Sequence, residues 1–354
     1  MDEKIILDTL SDRLHIPHNR RSFIQRLALG TAGMTFGSLM SGGHPEAALG
    51  DAGQAEVSFV TGTDRREMVY EALKPFKNEI KKGIRGKQVI IKPNLVGNET
   101  ITAVTHPDAI RGVLDFLKPL YDEKVLIAES TGRRYADMPG TIKHFHLYNY
   151  FPLLDEYHVG LVDLNAEPST NVWVMSNEGH PLDIRIIDCY LDPNNYIISI
   201  CRPKAHNCLV VTLTGKNILF GAPKVDAYRH DKGRMHSAGI RKLNYNVFLL
   251  AQRIRPQLAV IDGLEGMEGN GPNNGTVVNH GIALAGTDFI AVDHVACQLM
   301  GVDPGDCGYL TYCAQAGIGQ GDLSKIEIKG PDLSKYIYTY RMHDNYEQHL
   351  EWKN

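Results

Sequence analysis

The sequence predicts an α/β protein in which helices flank mostly parallel sheets, arranged around one core or as two lobes with a cleft between them. Short β-branched runs lack polar alternation, which is typical of strands buried on both faces of a parallel sheet. Helical segments alternate with these runs along the chain. The composition, 43% hydrophobic and 22% charged over 354 residues, is that of a packed domain long enough for a substantial core.

Individual elements follow from local signals. Pro75 interrupts the first helix, Pro107 suits the first turn of the second, and Gly301 closes the last. These predicted helices occupy 66–84, 107–121 and 287–301. The predicted strands occupy 57–62, 88–93, 124–130, 158–165, 196–203, 257–263, 280–286 and 325–330, with a short pair formed by NVWVMS and DIRIIDCY.

The pattern divides the chain into three parts. Residues 1–50 form a signal region, 51–335 an α/β domain and 336–354 a C-terminal tail. The alternation loosens near 165–195, where a break between two lobes is expected if the domain has two.

The signal region resembles a twin-arginine export leader. An arginine pair in NRRSFIQR (19–26) precedes an uncharged segment of 14 residues (27–40), which is too short to span a membrane. An amphipathic arm that binds a partner is the alternative. Export would require the twin-arginine translocation machinery and predicts a periplasmic location. Because that route carries folded proteins, it favours a passenger with a bound metal or cofactor.

Composition excludes several classes of function. The formal net charge of −4 argues against non-specific nucleic-acid binding. No apolar run reaches the roughly 18 residues of a membrane-spanning helix, so no stable membrane span is expected. Six cysteines in a chain of this length are too few for a disulfide scaffold.

Candidate catalytic residues follow the predicted strands. Ligands of open α/β sheets bind outside the carboxyl ends of the strands, and several predicted strands end in ionisable side chains. We predict four catalytic residues on this ground, with a merely polar exit loop as the alternative for each: Lys92, Glu129, Lys204 and His206.

The segment CRPKAHNCLVVTLTGKNILFG (201–221) predicts an anion site. If 209–219 is helical, Thr212 and Lys216 share one face. A strand with a solvated lysine is the alternative. With the loop after the second strand, this segment supplies the predicted substrate-binding side chains Asn94, Thr212, Lys216 and Asn217.

The segment DGLEGMEGNGPNNGT (262–276) combines carboxylates with glycines. Gly269 and Gly271 would let the backbone approach a substrate closely. The carboxylates suit a divalent cation, a sugar hydroxyl or acid–base chemistry, and we predict them as metal ligands: Asp262, Glu265 and Glu268. A mobile surface loop is the alternative.

Cysteine and histidine spacing gives weaker signals. The chain has no CxxC pair, so an iron–sulfur cluster is less expected than a divalent metal. Cys201 and Cys208 flank Lys204 and His206, which leaves a metal or disulfide role conceivable. RHDKGRMH (229–236) is predicted to be an exposed loop, with a lid as the alternative, and none of its histidines is assigned a role.

In combination, these motifs resemble the uncharacterised family called domain of unknown function 362. The resemblance covers roughly 56–330. Some members of that family are joined to ferredoxin-like iron–sulfur modules, which implies an association with redox proteins. This sequence contains no such cysteine-rich module. The matching positions are Lys92, Pro93, Asn94, Pro203, Lys204, His206, Thr212, Lys216, Asn217, Gly221, Glu268, Gly269, Gly271, Pro272, Gly286, Asp288, Ala291 and Asp293.

Three functions remain open at this point. The favoured one is an exported enzyme of isomerase, lyase or hydrolase type that acts on a small anionic or hydroxylated substrate with a metal ion or cofactor. The alternatives are a redox protein associated with an iron–sulfur cluster and a periplasmic ligand-binding protein without catalysis.

Overall fold

The computed structural model describes residues 52–96, 101–132 and 140–354. The predicted signal region 1–50 therefore lies outside the described residues. The described chain is a mixed α/β fold with a large, mostly parallel sheet of ten strands and helices on its two faces. This agrees with the predicted fold class.

The strands begin and end close to the predicted positions, apart from the long pair near the C-terminus and a short hairpin within 204–212 that is not among the predicted strands. They are β1 (Ala55–Thr61), β2 (Gln88–Lys92), β3 (Val125–Glu129), β4 (Val159–Asp163), β5 (Ser169–Met175), β6 (Pro181–Ile187), β7 (Asn195–Cys201), β8 (Lys204–His206), β9 (Val210–Thr212), β10 (Leu258–Glu268), β11 (Thr276–Gly286) and β12 (Ile326–Lys329).

A short 3-10 turn that contains Pro75 separates the first two α-helices. The described α-helices are α1 (Arg65–Leu73), α2 (Lys77–Gly83), α3 (Pro107–Leu117), α4 (Gly140–Leu147), α5 (Leu153–Glu156), α6 (Thr214–Leu219), α7 (Asp231–His236), α8 (Ile240–Ala251), α9 (Phe289–Leu299), α10 (Gly308–Gln315) and α11 (Tyr346–His349).

Sheet topology brings the chemically important strand ends together. The order is β12-β1-β11-β10-β7-β2-β3-β4, and the β10-β7-β2-β3-β4 part is parallel throughout. The carboxyl ends of β2, β3 and β7 therefore meet at one edge. The small hairpin β8–β9 continues this edge, because β8 pairs with β10 beyond the end of β7.

The two faces of the sheet have separate apolar cores. On β2, Ile90 belongs to one core while Val89 and Ile91 belong to the other, as the two-residue period of a strand requires. Helices α1 to α4 cover one face, and α6, α8, α9 and α10 cover the other. Burial on both faces explains why these strands read as continuous apolar runs.

The region near 165–195 contains the predicted pair of strands. β5 and β6 form an antiparallel sheet of their own. Val172, Val174, Ile184 and Ile186 are buried and belong to the same core as α6, α8 and α9. The loosened sequence pattern thus coincides with a hairpin that packs on the main domain.

The structure decides between the alternatives at two segments and overturns the prediction of an exposed loop at a third. The segment 209–219 is a short strand followed by α6 rather than one helix, so Thr212 lies before the helix that carries Lys216. The glycine-rich segment 262–276 lies largely within the long β10–β11 hairpin and is not a free loop. Residues 231–236 of the predicted exposed loop form α7, whose Asp231 and Met235 are buried.

The C-terminal residues 336–354 pack back on the domain. Tyr340 and His349 are buried, the backbone N–H of Arg341 donates to Glu268, and the Trp352 indole donates to the carbonyl of Asp306. Across the described ranges, we find no helix with the length and apolar character required to cross a membrane.

Candidate anion-binding site

A buried ion pair forms the floor of the site at the carboxyl ends of β2 and β3. Lys92 Nζ lies 2.6 Å from Glu129 Oε1, and both side chains are almost fully buried. Glu129 also accepts the backbone N–H groups of Leu95 and Ser130 at 2.8 and 2.7 Å. Because its oxygens already serve three donors, Glu129 holds Lys92 and the adjoining loops in place.

Two asparagines tie this pair to the rest of the strand ends. Asn217 Oδ1 accepts from Lys92 Nζ at 3.2 Å and from Asn94 Nδ2 at 3.0 Å. Asn94 Oδ1 in turn accepts from Lys204 Nζ at 2.6 Å. Both predicted substrate-binding amides therefore use these oxygens to position lysines.

The hairpin β8–β9 carries the second group of predicted residues. Lys204 pairs with Thr212 across the hairpin, and Lys216 Nζ lies 3.4 Å from Thr212 Oγ1. Lys204 is fully buried and also donates to the carbonyl of Ala103 at 2.5 Å, whereas Lys216 is 8% exposed. Lys216 is thus the less constrained of the two amines.

Asp293 orients the helix that carries Lys216. Its buried carboxylate accepts the backbone N–H groups of Thr214 and Gly215, both at 2.9 Å, at the N-terminus of α6. Burial raises the pKa of Asp293 to about 7. Asp288 caps α9 in the same manner, as its sequence position indicates.

Sequence reasoning missed Lys232 on α7. Its ammonium donates to the carbonyl of Ser130 and lies 3.2 Å from Ser130 Oγ, directly after β3. The segment RHDKGRMH gave only a charged pattern, which is also typical of a solvated loop. The contact of Lys232 with a strand end more than one hundred residues away depends on tertiary packing.

The pKa values reflect the burial of these amines. Burial, together with the charge of Lys216, lowers the pKa of Lys204 to about 7. Burial also lowers the pKa of Lys216 to about 8, and burial with the charge of Lys92 lowers that of Lys232 to about 7. Three amines can therefore exchange protons near neutral pH.

The charges of this cluster do not balance. Within the described parts of the chain, Glu129 is the single carboxylate paired with any of the lysines Lys92, Lys204, Lys216 and Lys232. We call these four lysines the amine cluster.

His206 and Cys208 lie at the border of the amine cluster. The Nδ1 atom of His206 accepts the backbone N–H of Cys208 at 3.2 Å and is 3.4 Å from its Sγ. Cys208 Sγ is also 3.6 Å from His236 Nδ1. Burial lowers the pKa of His206 well below its usual value, with the charge of Lys216 acting in the same direction. His206 is therefore neutral at physiological pH.

The predicted metal ligands occupy a different environment. The guanidinium nitrogens of Arg65 lie 2.9 Å from a carboxylate oxygen of Asp262 and 2.8 Å from one of Glu265. A guanidinium nitrogen of Arg202 lies 3.0 Å from Glu265. Glu268 instead accepts the backbone N–H of Arg341. Residues 52–96, 101–132 and 140–354 hold no group of three His, Cys, Asp or Glu side chains that could bind a metal ion. Carboxylates neutralised by arginines do not fit the predicted cation.

Local packing and backbone conformation explain why glycine occurs at the two positions predicted to contact substrate. A Cβ on Gly271 would lie 2.0 Å from the carbonyl oxygen of Ala205, so this backbone packs directly on β8. Gly269 has a φ of +73°, and its backbone N–H donates to the carbonyl of Arg341. In the structure both glycines contact protein atoms.

Close packing also explains why residue 221 is a glycine. A Cβ there would lie 2.5 Å from Lys92 Cε and 2.7 Å from the carbonyl oxygen of Asn217. Its own carbonyl accepts the Ser130 hydroxyl. A residue with a Cβ at position 221 would take the space that the Lys92 side chain occupies in the amine cluster.

The comparison with family models identifies the relatives of this arrangement. A family model described as "Domain of unknown function (DUF362)" matches residues 89–298, which is more than half of the chain. The chain belongs to this family. The matched segment contains the amine cluster, the asparagines and Asp293, so the resemblance carried by the sequence motifs is confirmed.

Individual relatives are distant. The chain is 27% identical over 249 residues to a thylakoid-associated protein of Synechocystis sp., a match that covers 66% of this chain and 68% of the relative. A crystal structure of a protein from Thermotoga maritima is similar with a TM-score of 0.37 and 10% identity. That match covers 59% of this chain and 52%, about half, of the other.

Proposed function

We propose that this protein binds a small carboxylate or phosphate in the amine cluster and catalyses proton transfer on it, as an isomerase or lyase does. The observation that carries the proposal is the imbalance of charge. Of the four lysines, Lys92 is paired with Glu129, whereas Lys204, Lys216 and Lys232 have no carboxylate within salt-bridge distance among the described side chains. Asp163 acts on Lys232 only through its charge. A buried cation without a counter-ion is costly, and a bound anion removes that cost.

Lys216 is the proposed proton-transferring group. Its ammonium has one long hydrogen bond to Thr212 and lies 5.1 Å from the centre of the Phe220 ring, which leaves donors free for a ligand. A pKa of about 8 suits proton transfer near neutrality. Lys204 and Lys232, each held by protein carbonyls, would supply positive charge to stabilise a developing anion.

The acidic residues enter this proposal as structural groups. Asp262 and Glu265 are neutralised by Arg65 and Arg202, and no cation is assigned to them. A hydrolase that depends on these carboxylates is therefore less well supported than proton transfer at the amine cluster.

Anion binding is tested first, by thermal stabilisation with phosphate, sulfate and malonate in a low-salt buffer. We expect at least one anion to raise the melting temperature of the wild type and to lose this effect in Lys216→Gln. Lys77→Gln, at an exposed lysine on α2, is the matched control and retains it. Equal responses of all three proteins to every anion would end the proposal.

Catalysis is tested by solvent deuterium exchange, which detects proton transfer on any component of a mixture. Mixtures of 2-hydroxy acids, 2-oxo acids and sugar phosphates are incubated with the protein in D2O and followed by proton NMR. We expect the wild type to remove a C–H signal from one component and Lys216→Gln to leave it. Anion binding without exchange across these mixtures would instead identify a non-catalytic binding protein.

We also propose export through the twin-arginine route, on the basis of residues 19–40. The test is a fusion of residues 1–50 to a folded reporter in cells with and without the translocase. Transport is expected to stop when Arg20 and Arg21 are both changed to lysine. A fusion that stays in the cytoplasm in every case would contradict export.

A further inference from the structure

The turn between β8 and β9 places a thiol between two imidazoles at the border of the amine cluster. Cys208 Sγ is 3.4 Å from His206 Nδ1 and 3.6 Å from His236 Nδ1. Of the six cysteines, five are buried and Cys208 alone is partly exposed. This thiol therefore differs from the others in both accessibility and surroundings.

The tautomer of His206 is determined by its local contact. Because Nδ1 accepts the backbone N–H of Cys208 at 3.2 Å, this nitrogen carries a lone pair and not a proton. Cys208 Sγ lies 3.4 Å from the same nitrogen. At rest the thiol keeps its proton, because burial raises the pKa of Cys208 to about 11 and lowers that of His206. His206 Nδ1 is the base within reach of Sγ that a cysteine nucleophile requires once a ligand is bound.

A chain of contacts connects the thiol to the proposed anion site. The rings of His236 and Phe220 have centroids 4.6 Å apart, and the Lys216 ammonium lies 5.1 Å from the centre of the Phe220 ring. The thiol and the ammonium thus contact neighbouring side chains, and we expect a ligand whose anionic group contacts Lys216 to bring an adjacent carbon to Cys208.

We propose that Cys208 is a nucleophile of the same site and that the ligand is a small anion with an electrophilic carbonyl carbon, such as a 2-oxo or aldehyde acid. This inference rests on the proposed anion site. The Sγ–C bond forms while the carbonyl π bond breaks, the thiol proton passes to His206 Nδ1, and the carbonyl oxygen takes a proton from Lys216. The product is a thiohemiacetal, and no oxidant or reductant is needed.

The experiment compares two alkylating reagents that differ in charge. Iodoacetate and iodoacetamide transfer their carbon to a thiol by the same displacement of iodide, but only iodoacetate carries an anion for the lysines. The ratio of the two rates is measured for the native protein and for the urea-unfolded chain, with the modified cysteine located by peptide mass. We expect Cys208 to react first, with a native ratio at least about tenfold above the unfolded one.

Variants separate the contributions. Lys216→Gln is expected to lower the ratio toward the unfolded value, whereas Lys77→Gln leaves it unchanged. His206→Gln is expected to slow both reagents while retaining the preference for iodoacetate. Cys208→Ser removes the modification and, with unchanged melting temperature, shows that the fold does not depend on the thiol.

Each outcome has a definite meaning. A native ratio equal to the unfolded one, or faster modification of a buried cysteine, overturns the proposal. If anions raise the melting temperature but the ratio is unchanged, the anion site stands and only the role of Cys208 is wrong. If neither effect appears, the proposed function fails as well.

Discussion

Two charged regions lie along the same edge of the sheet, and they differ in charge balance. Around Asp262, two arginines face two carboxylates, with contacts of 2.8 to 3.0 Å and a fourth at 3.9 Å. In the amine cluster, Glu129 is the single described carboxylate in an ion pair with any of the four lysines, and its partner is Lys92. The first region pairs its own charges, and the second is where the proposed function places an anion. Charge balance thus separates a structural network from a candidate binding site.

The largest expected effect comes from breaking the balanced region. Asp262→Ala removes a carboxylate that is 1% exposed and leaves Glu265 as the one carboxylate that Arg65 and Arg202 share. We expect the free energy of unfolding to fall by about 3–5 kcal/mol. Chemical denaturation measures this change. Asp108→Ala, at a carboxylate 46% exposed and paired with Arg111, is the control and should cost less than about 1 kcal/mol.

The next largest effect tests the floor of the amine cluster. Gly221→Ala would place a methyl group 2.5 Å from Lys92 Cε, and we expect a loss of about 2–3 kcal/mol from overpacking. Gly132→Ala is the control, because a Cβ there meets nothing closer than 3.8 Å. Equal stability of the two variants in urea would show that Lys92 does not need this space.

Removing a charge from the unbalanced region should have the opposite sign. Lys216→Met deletes a buried amine that no described carboxylate neutralises, so we expect the protein to gain about 1–2 kcal/mol in low-salt buffer. Stabilisation by anions should disappear at the same time. A destabilised variant that still responds to anions would contradict the comparison on which the proposed function depends.

The smallest effect is a pH dependence. Burial lowers the pKa of Lys204, Lys216 and Lys232 to about 7, 8 and 7, whereas unfolded lysines titrate near 10.5. Above pH 7 the unfolded chain therefore binds more protons than the native one, and the free energy of unfolding rises with pH. Above about pH 8.5, cysteine thiols whose pKa is raised by burial oppose this trend.

The contribution of Lys216 is isolated by comparison with Lys216→Met between pH 7 and 8.5. We expect the wild type to gain about 1 kcal/mol or less relative to the variant across this interval. Thermal or urea unfolding at matched ionic strength measures it. An identical pH dependence of the two proteins would mean that the Lys216 pKa is not lowered.

The sequence predicted which strand ends carry ionisable side chains, but it could not show what each of these side chains contacts. Lys92, Glu129 and Lys204 were predicted because each follows an apolar strand. Glu129 is already occupied by Lys92 and two backbone N–H groups, which no linear pattern indicates. Lys232 escaped prediction because its helix lies far from Ser130 in sequence and resembles a polar loop.

The sequence by itself determined the fold class, the order of strands and helices and the family, because apolar periodicity and motif spacing are properties of the linear chain. Tertiary structure decided which charges find partners. Arginines brought next to Asp262 and Glu265 turned expected metal ligands into ion pairs, while the packing of α6 and α7 left lysines facing one another. Pairing depends on distances of a few ångströms between residues remote in sequence, and only the folded chain sets those distances.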